Sequence, residues 1–161
     1  AEGGTTLALR RRLAARTYAT TASYDSAISA WFSGQLGETF PKTLSVSATL
    51  VDTLRYGENP HQQNAALFTT GGTDPLAISK CELVYGNTPG YVNQTDIWRA
   101  MMTLRTIAAA YAANGWPVPK ICIAVKHGNA CGAAFGDDAA EVLKKMIMGD
   151  PRAIFGMLAA I

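Results

Sequence analysis

The sequence lacks several features that mark specialised classes of protein. Its three cysteines (Cys81, Cys122, Cys131) are odd in number and never stand in a CxxC spacing, which argues against a disulfide framework and against a zinc site. No stretch approaches the roughly 20 uninterrupted apolar residues of a membrane-spanning helix, and no secretory signal opens the chain. We therefore expect a cytoplasmic protein with reduced thiols and no membrane partner.

The chain also has little net charge and none of the common cofactor-binding motifs. The formal net charge is +2, and Arg10–Arg12 is the only basic run, so nucleic acid is not an expected partner. There is no Walker loop, no GxGxxG after a strand, and no His, Asp or Glu set at metal-ligand spacing. No metal is expected from these patterns.

What the chain does have is enough apolar sequence for a core. Its 161 residues are 48% apolar and 16% charged, which is typical of a globular protein with one substantial domain. The chain opens without a Met and closes on the apolar "MLAAI". Because a native terminus usually lies at the surface, we expect this chain to be part of a longer protein.

Hydrophobic periodicity and turn residues predict an α/β fold. The predicted segments are helices at 5–32 (with a break near Thr20–Thr21), 95–114 and 139–148, and strands at 44–50, 65–68 and 120–127 with an apolar strand at the end. Strand 120–127 is apolar on both faces, as in a sheet covered on two sides. Its succession with a glycine-rich loop, a helix and a strand suggests a βαβ unit. Ligands of such sheets lie beyond the carboxyl ends of the strands, which selects Lys126 and His127.

The stretch "VKHGNACG" is the first candidate for chemistry. His127 could take or deliver a proton near neutral pH, while Lys126 could hold the imidazole unprotonated or stabilise an oxyanion. The alternative is a histidine satisfied by the backbone and a lysine in solvent. Cys131 could also act as a nucleophile with His127 as its base, but partners of this kind usually come from distant parts of a fold, so a buried structural thiol is the simpler interpretation.

The stretch "LRYGENPHQ" is the second candidate. Arg55 offers a planar fork suited to phosphate, and Tyr56 a ring and a hydroxyl for a sugar or base. Gly57 permits close backbone approach, and Asn59-Pro60 sets a turn. These residues indicate a phosphorylated, ring-bearing ligand, with an ordinary polar surface turn as the alternative.

A third stretch, "NTPGYVNQ", precedes the long helix. Gly90 and Asn93 could complete a ligand wall, because a helix N-terminus attracts anions. Equally, Asn93 or Thr95 could simply cap the helix.

Four segments together carry a resemblance to a known family. They are "LRYGENPHQ" (54–62), "PGYVN" (89–93), "VKHGNACGAAFG" (125–136) and "GDPRAIFG" (149–156). In this order they resemble the bifunctional purine biosynthesis enzymes, which combine phosphoribosylaminoimidazolecarboxamide (AICAR) formyltransferase with IMP cyclohydrolase. Residues 1–42 resemble the last helices of the cyclohydrolase domain and the linker, and residues 43–161 the start of the transformylase domain.

The resemblance implies a fold and a reaction. It implies a cytidine-deaminase-like layered sheet, preceded by helices from a methylglyoxal-synthase-like domain, and a homodimer in the full-length protein. It implies formyl transfer from 10-formyltetrahydrofolate to AICAR, with His127 as proton acceptor and Lys126 stabilising the transition state. Arg55, Tyr56 and Asn93 would then contact the substrate, and no zinc would be present, since the Cys and His spacing does not supply a deaminase ligand set.

Two positions depart from the family pattern: Ala130 stands where a proline is usual, and Met157 where a glycine is expected. Because most of the two implied domains is missing, we expect the chain alone to show no turnover. Two rival functions remain open, namely a non-catalytic nucleotide-binding module and a transferase or hydrolase dependent on Cys131.

Overall fold

The computed structural model describes residues 3–161, which form three helices and five short strands. In chain order the elements are α1 (Leu7–Gln35), β1 (Thr49–Leu54), β2 (Ala65–Thr69), a 3₁₀ turn (Ile78–Lys80), α2 (Tyr91–Ala113), β3 (Lys120–Lys126), β4 (Asn129–Gly136), α3 (Ala139–Gly149) and β5 (Leu158–Ala160). This mixed composition agrees with the predicted α/β class. In the part of the chain that the structure describes, no helix combines the length and apolarity needed to cross a membrane.

The chain divides into two compact units. The first contains the residues up to Leu50 together with Phe68–Gly72, and the second contains Val51–Leu67 together with Thr73–Ile161. All the candidate site residues belong to the second unit.

In the first unit, α1 is one continuous helix. Thr6 caps its start, its Oγ1 accepting a hydrogen bond from the Leu9 N–H at 3.2 Å. The predicted break at Thr20–Thr21 is wrong, because these hydroxyls bond back to carbonyls of the preceding turn: Thr20 Oγ1 donates to the Arg16 carbonyl at 3.0 Å. Such bonds satisfy a Thr side chain inside a helix without ending it. None of the residues of α1 is buried.

The first sheet contains only β1 and β2. The predicted strand at 44–50 overlaps β1 at its last two positions only, because β1 runs from Thr49 to Leu54. The alternating residues before it remain exposed, with Leu44 at 78% and Val46 at 66%. The alternation of apolar and polar residues did not produce a strand there, because no other element of the described chain packs over the apolar side chains.

The core of the second unit is built around β3, which is the central strand of the order β4-β3-β5. Successive side chains of a strand point to opposite faces, and both faces are covered here. One face packs in a cluster of Cys122, Ala124, Val142, Met146 and Ile154, and the other in a cluster of Ala100, Ile121, Ile123 and Val125. The prediction of a strand buried on both sides is confirmed. Met157, at the position where the family pattern has glycine, packs against the first cluster.

The direction of the strands differs from the prediction. The glycine-rich segment predicted as a loop is strand β4, which forms a hairpin with β3. Because β4 reverses the chain, β5 also runs antiparallel to β3, and the predicted βαβ relation between these two strands is wrong. The rule for ligands in parallel sheets therefore does not select Lys126 and His127, although both do lie where β3 ends.

Candidate functional site

The loop after β1 is held by its own hydrogen bonds. The Gly57 N–H donates to the Gln62 carbonyl at 2.8 Å, and the Gln62 N–H donates to the Asn59 carbonyl at 2.9 Å. The Gln62 side chain accepts from the Asn59 N–H at 2.8 Å. A Cβ on Gly57 would meet the Gln62 Cβ at 3.1 Å, so the close approach that this glycine permits is that of Gln62.

Arg55 and Tyr56 stand together at the start of this loop. Leu54, the last residue of β1, is buried, while Arg55 is exposed. The Arg55 Nη2 donates to the Tyr56 hydroxyl at 3.2 Å, and its Cζ lies 4.9 Å from the centre of the Tyr56 ring. A guanidinium carries five N–H donors in a fixed fork, so this bond leaves it able to bind an anion.

A cavity of about 860 Å³ opens beside Arg55. Its volume lies in the range usual for small-ligand sites. It is lined by Thr53, Leu54, Arg55, Asn87, Thr88, Pro89, Gly90, Asn93, Ile97 and Leu158. Two of the predicted substrate-binding residues, Arg55 and Asn93, therefore face one space.

The start of α2 forms one wall of this cavity. Gly90 is the N-cap residue, and its N–H donates to Asn93 Oδ1 at 3.2 Å. Thr95 instead donates its hydroxyl to the Val92 carbonyl at 2.8 Å. Neither of the two predicted residues is therefore the N-cap. Asn93 lies at the third helical position, where its side chain bonds back to the cap residue and also lines the cavity.

His127 and Gly128 are the two central residues of the turn between β3 and β4. Their φ angles are +51° and +73°, and Lys126 pairs with Asn129 across the turn. Positive φ at both central residues is the geometry that matches the twist of a two-residue hairpin. The His127 side chain is exposed at this tip.

Lys126 is tied to the segment before β5. Its Nζ donates to the Phe155 carbonyl at 2.7 Å. That segment is fixed by Asp150 Oδ1, which accepts from the Arg152 and Ala153 N–H groups at 3.1 Å each, and by Ile154, which is buried. The "GDPRAIFG" segment therefore holds the lysine from a distance in sequence.

Asp96 of α2 is a residue that the sequence reasoning missed. Its Oδ1 accepts a hydrogen bond from the Gly128 N–H at 2.7 Å, and its side chain is 6% exposed. A signal was available, because Asp96 follows Asn93 by three positions and so shares its helix face. Without the turn in view, the acid had no visible partner.

The structure brings some of the predicted residues together and leaves others apart. Arg55 and Asn93 share the cavity, and Tyr56 contacts Arg55, whereas Lys126 and His127 are not among the lining residues. The turn is linked to the cavity only through neighbours of its contact residues. Its anchor Asp96 directly precedes the lining residue Ile97, and the lining residue Leu158 is the register partner of Val125 on β3.

Two of the cysteines, Cys131 and Cys122, have surroundings typical of thiols with a structural role. Cys131 is the extra residue where the β3–β4 register shifts between Ala124 and Val125, and its Sγ donates to the Ala124 carbonyl at 3.6 Å. Its hydrogen bond thus goes to the backbone instead of to an imidazole. Burial raises the pKa of the Cys122 thiol. Among residues 3–161, no three His, Cys, Asp or Glu side chains are grouped as metal ligands.

Comparison with known proteins gives consistent matches. The family described as "AICARFT/IMPCHase bienzyme" matches residues 1–161. The chain is similar to the "Bifunctional purine biosynthesis protein PurH" of Caulobacter vibrioides (43% identical), of Parvibaculum lavamentivorans (40%) and of Listeria monocytogenes (36%). Each alignment covers 99% of this chain, and the chain spans 28–29% of the length of these relatives.

Proposed function

Because the chain belongs to the AICARFT/IMPCHase bienzyme family, we propose that it is part of an enzyme of de novo purine biosynthesis. In the full-length protein, the transformylase transfers the formyl group of 10-formyltetrahydrofolate to AICAR, and the cyclohydrolase then closes the ring to IMP. The family match over residues 1–161 and the bifunctional relatives support this proposal.

We assign residues 1–42 to the end of the methylglyoxal-synthase-like cyclohydrolase domain and its linker. Residues 43–161 are then the start of a cytidine-deaminase-like transformylase domain. The enzyme would work on small-molecule substrates, as a cytoplasmic homodimer and without a metal.

The observation that carries the proposal is the cavity shared by Arg55 and Asn93. A guanidinium fork beside a helix N-terminus is well suited to the phosphate of AICAR. Tyr56, bonded to Arg55, is placed to orient that fork or to contact the sugar. The proposal requires that a substrate held there extend to the turn that carries His127.

The chemistry asks for two groups at that turn. The reacting amine is a weak nucleophile because its lone pair is delocalised into the imidazole and the carboxamide. As its nitrogen bonds to the formyl carbon, His127 removes a proton from the amine, and negative charge develops on the formyl oxygen. The bond from the formyl carbon to the folate N10 then breaks, and N10 takes up a proton, giving formyl-AICAR and tetrahydrofolate.

Lys126 is suited to stabilise the formyl oxygen. An ammonium has three N–H donors, so the bond to the Phe155 carbonyl can persist while another N–H meets the oxyanion. The Phe155 carbonyl thereby holds the ammonium group in place at the end of the flexible lysine side chain.

The test is a chimera in which this chain replaces the matching segment of the Caulobacter vibrioides relative. We expect formyl transfer from the chimera, measured as tetrahydrofolate formation, and no turnover from the 161-residue chain alone. His127→Ala should lower kcat by roughly 10²- to 10⁴-fold, the usual contribution of a general base, with the affinity for AICAR largely kept. Unchanged turnover in that variant would defeat the assignment.

A second function is favoured by one observation: His127 is exposed and does not line the cavity. This arrangement suits a non-catalytic module that binds a nucleotide through Arg55 and Asn93. Binding of AICAR by the chimera without formyl transfer would support it. The Cys131-dependent function predicts loss of activity in Cys131→Ser, whereas we expect little change.

A further inference from the structure

We propose that Asp96 is a positioning residue that fixes the catalytic turn against the helix bearing the substrate contact Asn93. This inference rests on the proposed function, in which His127 takes the proton. In the part of the chain that the structure describes, Asp96 is the buried charged side chain, at 6% exposure. Its bond to the Gly128 N–H spans 32 positions of sequence.

The first step of the argument is that a buried carboxylate needs a reason. Removing a carboxylate from water is unfavourable unless it is paired or hydrogen-bonded. Asp96 meets that condition through a short bond of 2.7 Å to a main-chain N–H, and charge-assisted bonds of this kind are stronger than neutral ones. An apolar residue would fill the same place without any such requirement, which points to a role for the bond itself.

The second step concerns what the turn requires. In a two-residue hairpin the ladder pairs the flanking strands, so the N–H groups of the central residues need other partners. Asp96 supplies one to Gly128. His127, at φ +51°, occupies a region that residues other than glycine seldom adopt. An outside anchor on its neighbour fixes the direction in which the imidazole leaves the backbone.

The third step is the link to the substrate. Asn93 lines the cavity and Asp96 holds the turn, and these two residues lie three positions apart on one face of α2. A rigid helix therefore sets the distance between the bound substrate and the imidazole. Both the substrate contact and the anchor of the turn therefore lie within one turn of α2.

The experiment compares Asp96→Ala and Asp96→Asn in the chimera, with Thr95→Ala as a matched control. Thr95 is the preceding residue, and its hydroxyl bonds within α2 to the Val92 carbonyl. A misplacement of about 1 Å can lower a rate 10²-fold. We therefore expect Asp96→Ala to reduce kcat by roughly 10- to 100-fold with an almost unchanged KM for AICAR.

The conservative variant separates positioning from packing. Asparagine keeps an oxygen acceptor of the same size, so Asp96→Asn should recover most of the lost kcat, and Thr95→Ala should match the unaltered chimera. Wild-type kcat in Asp96→Ala would overturn the inference. So would a loss confined to KM, or equal losses in the alanine and asparagine variants.

A second readout does not depend on activity. Hydrogen exchange of the Gly128 amide, followed by NMR on the 161-residue chain, should be slow in the unaltered chain, slow in Thr95→Ala and fast in Asp96→Ala. If the unaltered chimera fails to transfer formyl, the proposed function is wrong while this measurement still judges the anchor. Equal exchange rates in all three chains would overturn it.

Discussion

The two chemistry-bearing loops are stabilised in opposite ways. The loop at 54–62 closes on itself, with hydrogen bonds among Gly57, Asn59 and Gln62. The turn at 126–129 is held from elsewhere, by Asp96 of α2 and by the Phe155 carbonyl, which lie about 30 positions away. The conformation of the binding loop thus depends on contacts within the loop. The conformation of the turn proposed to do the chemistry depends on distant segments of the second unit.

This difference explains what each loop shows in the sequence. All the residues that shape the first loop lie within nine positions, so the motif displays its own support. The support of the second lies elsewhere in the chain, in Asp96, three residues beyond "PGYVN", and in "GDPRAIFG". Neither contact can be recognised until the chain is folded. The perturbations below test this contrast.

The largest effect is expected from the packing behind the hairpin. Met146 is 2% exposed, and its Sδ lies 3.3 Å from where a Cβ on Gly132 would be. Met146→Ala should reduce the free energy of unfolding by about 2–5 kcal/mol, as large-to-small changes in cores do. Met148→Ala, on the same helix at 65% exposure, should change it by less than about 0.5 kcal/mol. Urea denaturation of the chain measures both, and similar losses would contradict a hairpin held by α3.

The next effect is conformational and falls on the turn itself. Gly128 has φ +73°, and a Cβ there would meet nothing within 4 Å. Gly128→Ala should therefore destabilise the chain by about 1–2 kcal/mol through backbone strain alone. Gly128→Asn should be less harmful, because asparagine tolerates this region. If alanine and asparagine were equally damaging in urea denaturation, strain would not be the cause.

A smaller, steric effect is expected in the self-closed loop. Gly57 lacks a left-handed φ, but a Cβ there would lie 3.1 Å from both the Cβ and the Oε1 of Gln62. Gly57→Ala should destabilise by about 1 kcal/mol, as mild overpacking does. In a double-mutant cycle, Gln62→Gly should relieve part of this loss. Strict additivity of the two changes would show that the loop does not depend on that contact.

The smallest perturbation is a measurement of how accessible each cysteine thiol is to solvent. The thiolate is the reactive form of cysteine, and burial raises the pKa of Cys122. With Cys81 exposed, Cys131 half-buried and Cys122 buried, alkylation followed by mass spectrometry should modify them in that order. Modification of Cys122 as fast as Cys81 would mean that the sheet opens readily.

Much of this architecture could be predicted, and the failures have physical causes. The long helix, the doubly buried strand and the helix after it were found because apolar periodicity reports burial directly. Strand β4 was missed because its glycines and alanines resemble a loop. Without β4, the direction of β5 relative to β3 was also predicted wrongly. A His-Gly pair between two strand-like segments was the available signal, since such pairs can form two-residue turns.

The candidate site divides along the same line. Arg55 and Asn93 were chosen from local chemistry and do share a cavity. Asp96 was missed because its spacing from Asn93 indicates only a shared helix face, while its hydrogen-bond partner is known only once the chain is folded. Sequence reasoning therefore identified the side chains whose role is indicated by neighbouring residues in the sequence. It missed the one whose role depends on a contact made only in the folded chain.

The two-residue connection between β3 and β4 also limits how this protein can vary. One inserted or deleted residue there would slide β4 by a position and turn its inward side chains, such as Ala134, toward water. Length changes should be tolerated in segments such as 70–76, which lie outside the helices and strands, and rejected at 127–128. The length of the hairpin tip is therefore fixed by the core that β4 helps to form.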